Sequence, residues 1–277
     1  MPTDRVARPR PPLFRALGAA EPPVEVTVDG TAYSREEIFK HDSWASTALY
    51  ASGERRIVCK FNRVQPVLGF PMLWLGRRLA ERERRALSRL ADLPQIPAPL
   101  GPVFADGRRL PNAVARAFVA GHPMGKDERV GPDFFPLLRT ALIEMHRRGI
   151  AYVDLHKREN VIVGDDGHPY LVDFQISFDV THPRLRWIPG IRAIFERLCL
   201  GDLYHLQKHV YRADPAAPGV APPAIPAWLR LHRLIAVPFR QLRRRLLVTT
   251  GVRTGRGSVS TEAFAEDAVR RESARAA

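Results

Sequence analysis

The segment YVDLHKRENVIVGDDGHPYLVDFQIS, residues 152–177, constrains the fold more than any other part of the chain. Two short β-prone runs, Val161–Val163 and Tyr170–Val172, are separated by the turn-forming sequence Gly164–Gly167. This pattern predicts a β-hairpin, and its neighbours along the chain must be arranged around that hairpin.

Polar side chains stand at the ends of the predicted hairpin strands. Asp154 and Asn160 precede the first strand, and Asp173 directly follows the second. Aspartate and asparagine favour turns because their side chains hydrogen-bond to nearby backbone, so a purely structural role is one interpretation. The other is that two carboxylates and an amide are gathered at one edge as metal ligands and a catalytic base.

Composition indicates a globular protein without disulfides. A chain of 277 residues with 45% hydrophobic content can bury a core in one bilobal domain or two small ones. Two cysteines, Cys59 and Cys199, provide neither a disulfide framework nor a metal cluster. Arg15 interrupts the only apolar stretch near the start, and the apolar run 64–76 is too short to span a bilayer. We therefore expect a cytoplasmic protein, with a peripheral position on the inner membrane as an option.

The positive charge is concentrated near the end of the chain. The formal net charge is +14, and residues 215–261 contain eight arginines and no Asp or Glu. Within this region, residues 226–247 have apolar side chains near helical spacing with arginines between them. A basic amphipathic helix of this kind predicts contact with an anionic membrane surface, and a domain-packing helix is the alternative. Nucleic acid is not favoured as a partner, because no recognition motif accompanies the charge.

The order of predicted elements indicates an α+β fold in two lobes. Periodicity and turn signals predict the following elements: strands within 24–34 and 36–41, a hairpin over 46–61 turned at Gly53-Glu54, a helix over 75–93, strands near 101–105 and 113–119, a helix over 134–149, the hairpin described above, and a helix over 191–211. The predicted organisation is a loose Pro/Arg-rich segment 1–24, a small β-rich N-lobe 25–120, a reduced and mostly helical C-lobe 121–212, and a basic tail 213–277.

Two motifs resemble the protein-kinase-like superfamily. DLHKREN followed by LVDFQ is similar to the catalytic loop and the metal-binding DFG segment of that fold. The closer likeness is to bacterial lipopolysaccharide (Kdo-type) kinases and RIO-like serine/threonine kinases, and it extends from about residue 35 to 210. The resemblance implies a bilobal protein-kinase-like fold that uses ATP and Mg²⁺ to phosphorylate an acceptor hydroxyl.

The resemblance also implies a set of nucleotide-binding residues. Lys60, in the strand RIVCKF, would reach the α- and β-phosphates. Its partner would be Glu83 in AERERRAL, with Glu81 as the less favoured choice. Further residues expected at the nucleotide site are Ser46, Ala117 and Val119.

The catalytic and metal-binding residues follow from the same motifs. Asp154 would orient the acceptor hydroxyl and accept its proton, and Lys157 would approach the γ-phosphate. Asn160 and Asp173 would hold Mg²⁺, which prefers oxygen ligands. Asp202 resembles a helix aspartate that supports the catalytic loop.

The sequence also departs from the family pattern. Asn160 lies six residues after Asp154 rather than five, which predicts a bulge in the loop before Asn160. Gln175 replaces the glycine of DFG, and Val153 replaces an arginine that reads a phosphorylated activation segment. A glycine-rich phosphate loop is missing from HDSWASTALY, residues 41–50, where Ser43, Ser46 and Thr47 are expected to supply hydroxyl and backbone donors instead.

The expected acceptor is a lipid-linked sugar such as the lipopolysaccharide core. The basic tail favours this acceptor, and so does the lack of an APE-like activation-segment motif at the usual position after Asp173. An atypical serine/threonine protein kinase is the first alternative. A membrane-associated pseudokinase that binds nucleotide and acts as a scaffold is the second, although Lys60, Asp154 and Asp173 argue against it.

Overall fold

The computed structural model describes residues 12–67, 69–126, 128–185, 187–214, 221–224, 226 and 228. The predicted helix 226–247 therefore lies outside the described residues, apart from Pro226 and Trp228. Strands in the described chain are β1 (Glu25–Val28), β2 (Thr31–His41), β3 (Ala45–Ser52), β4 (Arg55–Asn62), β5 (Phe104–Ala105), β6 (Arg108–Arg109), β7 (Ala113–Ala117), β8 (Gly121–Pro123), β9 (Ile150–Ala151), β10 (Val161–Gly164), β11 (Pro169–Leu171) and β12 (Phe178–Asp179). The α-helices there are α1 (Leu73–Arg89), α2 (Phe134–Arg147) and α3 (Ile191–Ala213).

The first half of the described chain is dominated by an antiparallel sheet. Its seven strands lie in the order β6-β5-β1-β2-β3-β4-β7. The hairpin predicted around Gly53-Glu54 is confirmed, since β3 pairs with β4 from Ala45↔Asn62 to Ser52↔Arg55. The two separate strands predicted for 24–41 are instead β1 and one long strand, β2, whose register shifts between Arg35/Glu37 and Ile38/Lys40.

The segment before β1 packs on this sheet. Ala16 is fully buried, and the Arg63 guanidinium donates hydrogen bonds to the carbonyls of Leu13 (2.9 Å) and Ser43 (2.6 Å). A buried arginine that donates to several carbonyls fixes those backbone segments to one another. The prediction that residues 1–24 are loose is therefore wrong for the part of this segment that the structure describes.

Helix α1 lies close against the end of β4. A Cβ at Gly76 would come within 2.3 Å of the Arg63 carbonyl oxygen, so glycine is needed for the helix to approach this closely. The buried positions Gly76, Ala80, Glu83 and Leu87 follow helical spacing and form one face. Glu83 is thereby carried into the interior. The helix begins two residues before the predicted 75–93 and ends four residues earlier.

The second half of the described chain is mostly helical with two small sheets. The predicted hairpin is confirmed as β10 and β11, and β8 pairs with the other edge of β10. Strands β9 and β12 form a two-stranded sheet. The core between these sheets and helix α2 contains the fully buried side chains Leu138, Leu142, Met145, Ile150 and Tyr152. The fold is thus α+β, with the antiparallel sheet first and the helices later, as the order of elements predicted.

None of the helices in the described part of the chain is both long enough and apolar enough to cross a bilayer.

Candidate functional site

A cavity of about 950 Å³ lies where the antiparallel sheet meets the second half of the chain. Its walls contain Lys60 and Glu83 from the sheet side and Asp154, Asn160 and Asp173 from the loops around the hairpin. This volume is in the range of cavities that hold drug-sized or cofactor-sized ligands. The residues predicted from two distant motifs therefore meet at one place.

One row of side chains across the sheet forms the upper wall. The strand register pairs Lys40 with Thr47, Thr47 with Lys60, and Lys60 with Val114. Directly paired residues point to the same face of a sheet, and all four line the cavity. Two lysines therefore project from the sheet into the same space.

Lys60 is held between two carboxylates. Its Nζ lies 2.6 Å from Asp173 Oδ1 and 3.0 Å from Glu83 Oε2. Burial alone would lower the pKa of Lys60, but Asp173 and Glu83 outweigh it and raise that pKa. Glu81 instead pairs with Arg84 and Arg85 on the helix surface, which confirms Glu83 as the ion-pair partner.

Asp173 stays ionised although it is partly buried. Burial raises its pKa, but the ammonium of Lys60, with a smaller contribution from Lys157, lowers the pKa to about 2. The residue has a φ of 64°, a conformation that side chains other than glycine rarely adopt. The Tyr152 hydroxyl donates to the carbonyl of Val172 and so restrains the strand end from which Asp173 projects. A restrained conformation of this kind is common where a side chain must be aimed at a ligand.

Gln175 anchors the segment that follows Asp173. Its Nε2 donates a 3.0 Å hydrogen bond to Asn62 Oδ1, and Asn62 in turn donates to the carbonyl of Asn112 at 3.1 Å. Gln175, expected from the resemblance to stand at the glycine of a DFG-like pattern, is buried. Its side chain thus ties the segment after Asp173 to β4.

The loop from Asp154 to Asn160 closes back on itself. Asn160 Nδ2 donates to Asp154 Oδ2 at 2.9 Å, and Lys157 Nζ lies 2.7 Å from the same oxygen. A 3₁₀ turn at Arg158–Asn160 leads the loop into β10. Asn160 faces the same cavity as Asp154 and Asp173, as expected, and the bulge before Asn160 stays a prediction.

Asp154 keeps one oxygen without a hydrogen bond. Its side chain is buried, and Oδ1 has no hydrogen-bond partner among the described residues. His156 Nδ1 lies 3.3 Å from Oδ1, within ion-pair distance. A buried carboxylate oxygen left in this way is available to a ligand hydroxyl.

Asp202 of α3 holds the backbone that precedes Asp154. Its Oδ2 accepts the N–H of Tyr152 at 2.8 Å, and its Oδ1 accepts the N–H of Val153 at 2.8 Å. His146 Nε2 lies 3.0 Å from Oδ2. Val153 has a φ of 72°, which is strained for a β-branched residue. The two charge-assisted hydrogen bonds stabilise that conformation, so the predicted supporting position of Asp202 is confirmed.

Two predicted nucleotide-site residues face away from the cavity. Ser46 is fully buried and donates to the carbonyl of Lys40 at 3.2 Å, while its neighbours Ala45 and Thr47 line the cavity. Ala117 lies between two lining residues, Arg116 and Phe118, but is not itself part of the wall. Successive side chains of a strand point to opposite faces of the sheet. A prediction that is wrong by one residue therefore selects a side chain that points away from the cavity. Val119 does line the cavity.

Arg116 and Lys40 are among the cavity residues that the sequence interpretation missed. Arg116 lines the inner wall, where its guanidinium donates to the carbonyl of Ala117 at 3.1 Å, and burial lowers its pKa. Lys40 lines the upper wall. Lys40 is in the same cross-strand row as Lys60, through Thr47, and Arg116 pairs with Val58, two residues before Lys60 on β4; neither relationship is known until the strands are paired.

The oxygen atoms at the site suit a hard cation that is also coordinated by phosphate. Among the described residues, no group of three or more His, Cys, Asp or Glu side chains could hold a metal ion by itself. Mg²⁺ is often bound through one or two protein oxygens, with water and substrate phosphates completing its shell. The ionised Asp173 carboxylate and the Asn160 amide fit that pattern, because both face the cavity next to Lys60.

No protein-family model and no curated protein matches this chain.

Proposed function

We propose that this chain is an ATP- and Mg²⁺-dependent phosphotransferase with a protein-kinase-like fold. The observation that carries the proposal is that Lys60, Asp173 and Asp154 line one cavity. They come from three parts of the fold: β4, the segment after β11 and the loop after β9. Phosphoryl transfer depends mainly on positioning and on neutralising phosphate charge. The cavity offers both an ionised carboxylate for metal and a lysine for phosphate.

Lys60 would bind the inner phosphates of the nucleotide. Glu83 fixes the lysine side chain from the side of α1, at 3.0 Å. The contact of 2.6 Å between Lys60 and Asp173 implies that a bound phosphate competes for this ammonium. Asp173 and Asn160 would hold Mg²⁺, which neutralises charge on the phosphates when it is bound.

Asp154 would act on the acceptor hydroxyl. Its free Oδ1 can accept the hydroxyl proton as the acceptor oxygen bonds to the terminal phosphorus. The bond from that phosphorus to the bridging oxygen breaks, and the nucleoside diphosphate leaves. Lys157, 2.7 Å from Asp154 Oδ2, would neutralise charge on the phosphate being transferred.

A lipid-linked sugar is the proposed acceptor. Only residues 174–190 separate Asp173 from α3, so the stretch in which a protein kinase binds its peptide substrate is short here. The basic region 215–261 supports a site of action next to an anionic membrane surface. Mass spectrometry of the glycolipids and of the phosphoproteome, with and without this protein, distinguishes the acceptors. A glycolipid that lacks one phosphate supports the sugar, and lost protein phosphosites with unchanged glycolipid support a protein kinase.

ATP turnover by purified wild type and Asp154→Asn tests the activity itself. We expect turnover to fall by at least about a hundredfold in Asp154→Asn, since general acid–base catalysis contributes 10²–10⁴-fold. Asp165→Asn is the matched control, because Asp165 is exposed in the β10–β11 turn. Nucleotide binding by the wild type without any turnover would contradict the enzyme and favour the scaffold.

A further inference from the structure

In the turn at residues 42–45, between β2 and β3 at the edge of the cavity, backbone N–H groups form hydrogen bonds within the turn itself. The N–H groups of Trp44 and Ala45 both donate to Asp42 Oδ1, at 2.7 and 3.0 Å, and the Asp42 N–H donates to the Ala45 carbonyl at 3.0 Å. Phosphate-binding loops instead direct free backbone N–H groups at the anion. The N–H groups of Trp44 and Ala45 are therefore not available to bind a phosphate. The turn also places the Asp42 carboxylate in the cavity wall, where a phosphate would lie.

The serine hydroxyls near the turn are also engaged. Ser43 Oγ donates to the carbonyl of Phe14 at 3.1 Å, and Ser46 Oγ donates to the carbonyl of Lys40 at 3.2 Å. The expectation that these hydroxyls serve as phosphate donors is therefore wrong, whereas Thr47, the third residue of that expectation, lines the cavity. Another group of the upper wall has to neutralise the charge of a bound phosphate.

Lys40 is placed to do so. It is two strands from Lys60 in the same cross-strand row, which corresponds to about 10 Å between their Cα atoms. Its Nζ lies 2.9 Å from Asp42 Oδ2 and 4.0 Å from Glu159 Oε1. Glu159 belongs to the opposite wall and directly precedes Asn160, so the ammonium of Lys40 spans the mouth of the cavity.

We infer that Lys40 is a phosphate-binding residue that holds the terminal phosphate of the nucleotide against the loop of Asp154. The inference rests on the proposed function and adds a residue to it. Lys60, which is paired with Glu83 in the interior, binds the inner phosphates of the nucleotide. Lys40 binds the terminal phosphate. A triphosphate takes the place of Glu159 as the partner of Lys40. Asp42 keeps the side chain directed into the cavity.

The difference between ATP and ADP tests this assignment. Dissociation constants of both nucleotides with Mg²⁺ are measured by calorimetry on the full chain for wild type, Lys40→Met and Lys40→Arg. We expect Lys40→Met to weaken ATP binding about tenfold or more while ADP binding changes less than about threefold, because only the terminal phosphate loses a charged partner. Lys40→Arg should retain most of the ATP affinity.

Arg56→Met is the matched control. Arg56 lies on the same sheet, pairs with Glu36 at 3.3 Å on the exposed surface and does not line the cavity. Arg56→Met removes one positive charge, as Lys40→Met does, but at a position outside the cavity. It should therefore leave the affinities for ATP and ADP unchanged. If the wild type binds both nucleotides and Lys40→Met binds them equally well, or loses both to the same extent, the role of Lys40 is overturned and the proposed function stands. If the wild type binds neither ATP nor ADP, both the role of Lys40 and the proposed function are overturned. Lys40→Gln replaces Lys40→Met if the latter does not fold.

Discussion

Gln175 donates a 3.0 Å hydrogen bond to Asn62 across 113 positions of sequence, and this contact fixes the segment after Asp173 to the sheet. Both side chains are buried, and Asn62 is in turn bonded to Asn112. The contact joins the two halves of the chain directly behind the candidate site.

Replacing Gln175 with leucine is therefore expected to destabilise the fold. The change leaves Asn62 Oδ1 buried without its donor, which costs about 1–3 kcal/mol. The free energy of unfolding from urea denaturation measures this effect. Gln207→Leu on the exposed face of α3 is the control and should change stability by less than about 0.5 kcal/mol. Equal effects of the two changes would contradict the structural role of Gln175.

Lys60→Met tests the ion pairs inside the cavity. Removing the ammonium leaves Glu83 buried and Asp173 partly buried without their cation, and breaking a buried pair such as Lys60–Glu83 costs about 3–5 kcal/mol. We expect low stability and loss of ATP turnover. Adding Glu83→Gln should restore part of the stability, because it removes one of the two unpaired carboxylates, but it should not restore turnover.

The matched control for this pair is Glu81→Gln in the Lys60→Met background. Glu81 pairs with Arg84 and Arg85 on the surface of α1, so its neutralisation should restore no stability. Recovery with Glu81→Gln instead of Glu83→Gln in thermal unfolding would show that the register of α1 is different from the one described.

Asp202→Asn is expected to weaken the loop that carries Asp154. An asparagine keeps one acceptor oxygen, so one of the N–H groups of Tyr152 and Val153 then faces an amide N–H₂. The strained φ of Val153 loses its support, and we expect a loss of about 2 kcal/mol of stability, in the range for a hydrogen bond to a charged group. The kcat for ATP turnover should fall more than KM for ATP rises. A kcat equal to that of the wild type would contradict this role.

The hairpin and the loop motifs could be predicted from sequence because they depend on local signals. Gly53-Glu54 and Gly164–Gly167 mark turns between β-prone runs, and the structure has both hairpins. Ser46 and Ala117 were misplaced because a shift of one residue along a strand reverses the direction of its side chains. Lys40 was missed because its position depends on the irregular pairing of β2 with β3, which no local pattern indicates.

Stability is expected to fall on acidification because of His209. Burial lowers the pKa of His209 to about 4, and its Nε2–H donates to the carbonyl of Leu155 at 2.7 Å, which identifies the neutral tautomer. In the unfolded chain the pKa is about 6.5, so between pH 6.5 and 4 the unfolded state binds more protons. The free energy of unfolding therefore decreases by up to about 3 kcal/mol as the pH falls through this window. Urea denaturation at several pH values should show a smaller decrease for His209→Gln, and an unchanged decrease would contradict the assignment.

Metal-dependent nucleotide binding tests the central claim most directly. Calorimetric titration of ATP into wild type and Asp173→Ala, each with and without Mg²⁺, measures whether this carboxylate links metal to phosphate. We predict that Mg²⁺ strengthens ATP binding by about tenfold or more in the wild type, as expected for an added charge-assisted contact, and has no such effect in Asp173→Ala. ATP binding that is independent of Mg²⁺ in the wild type, or equally enhanced in both proteins, would contradict the account.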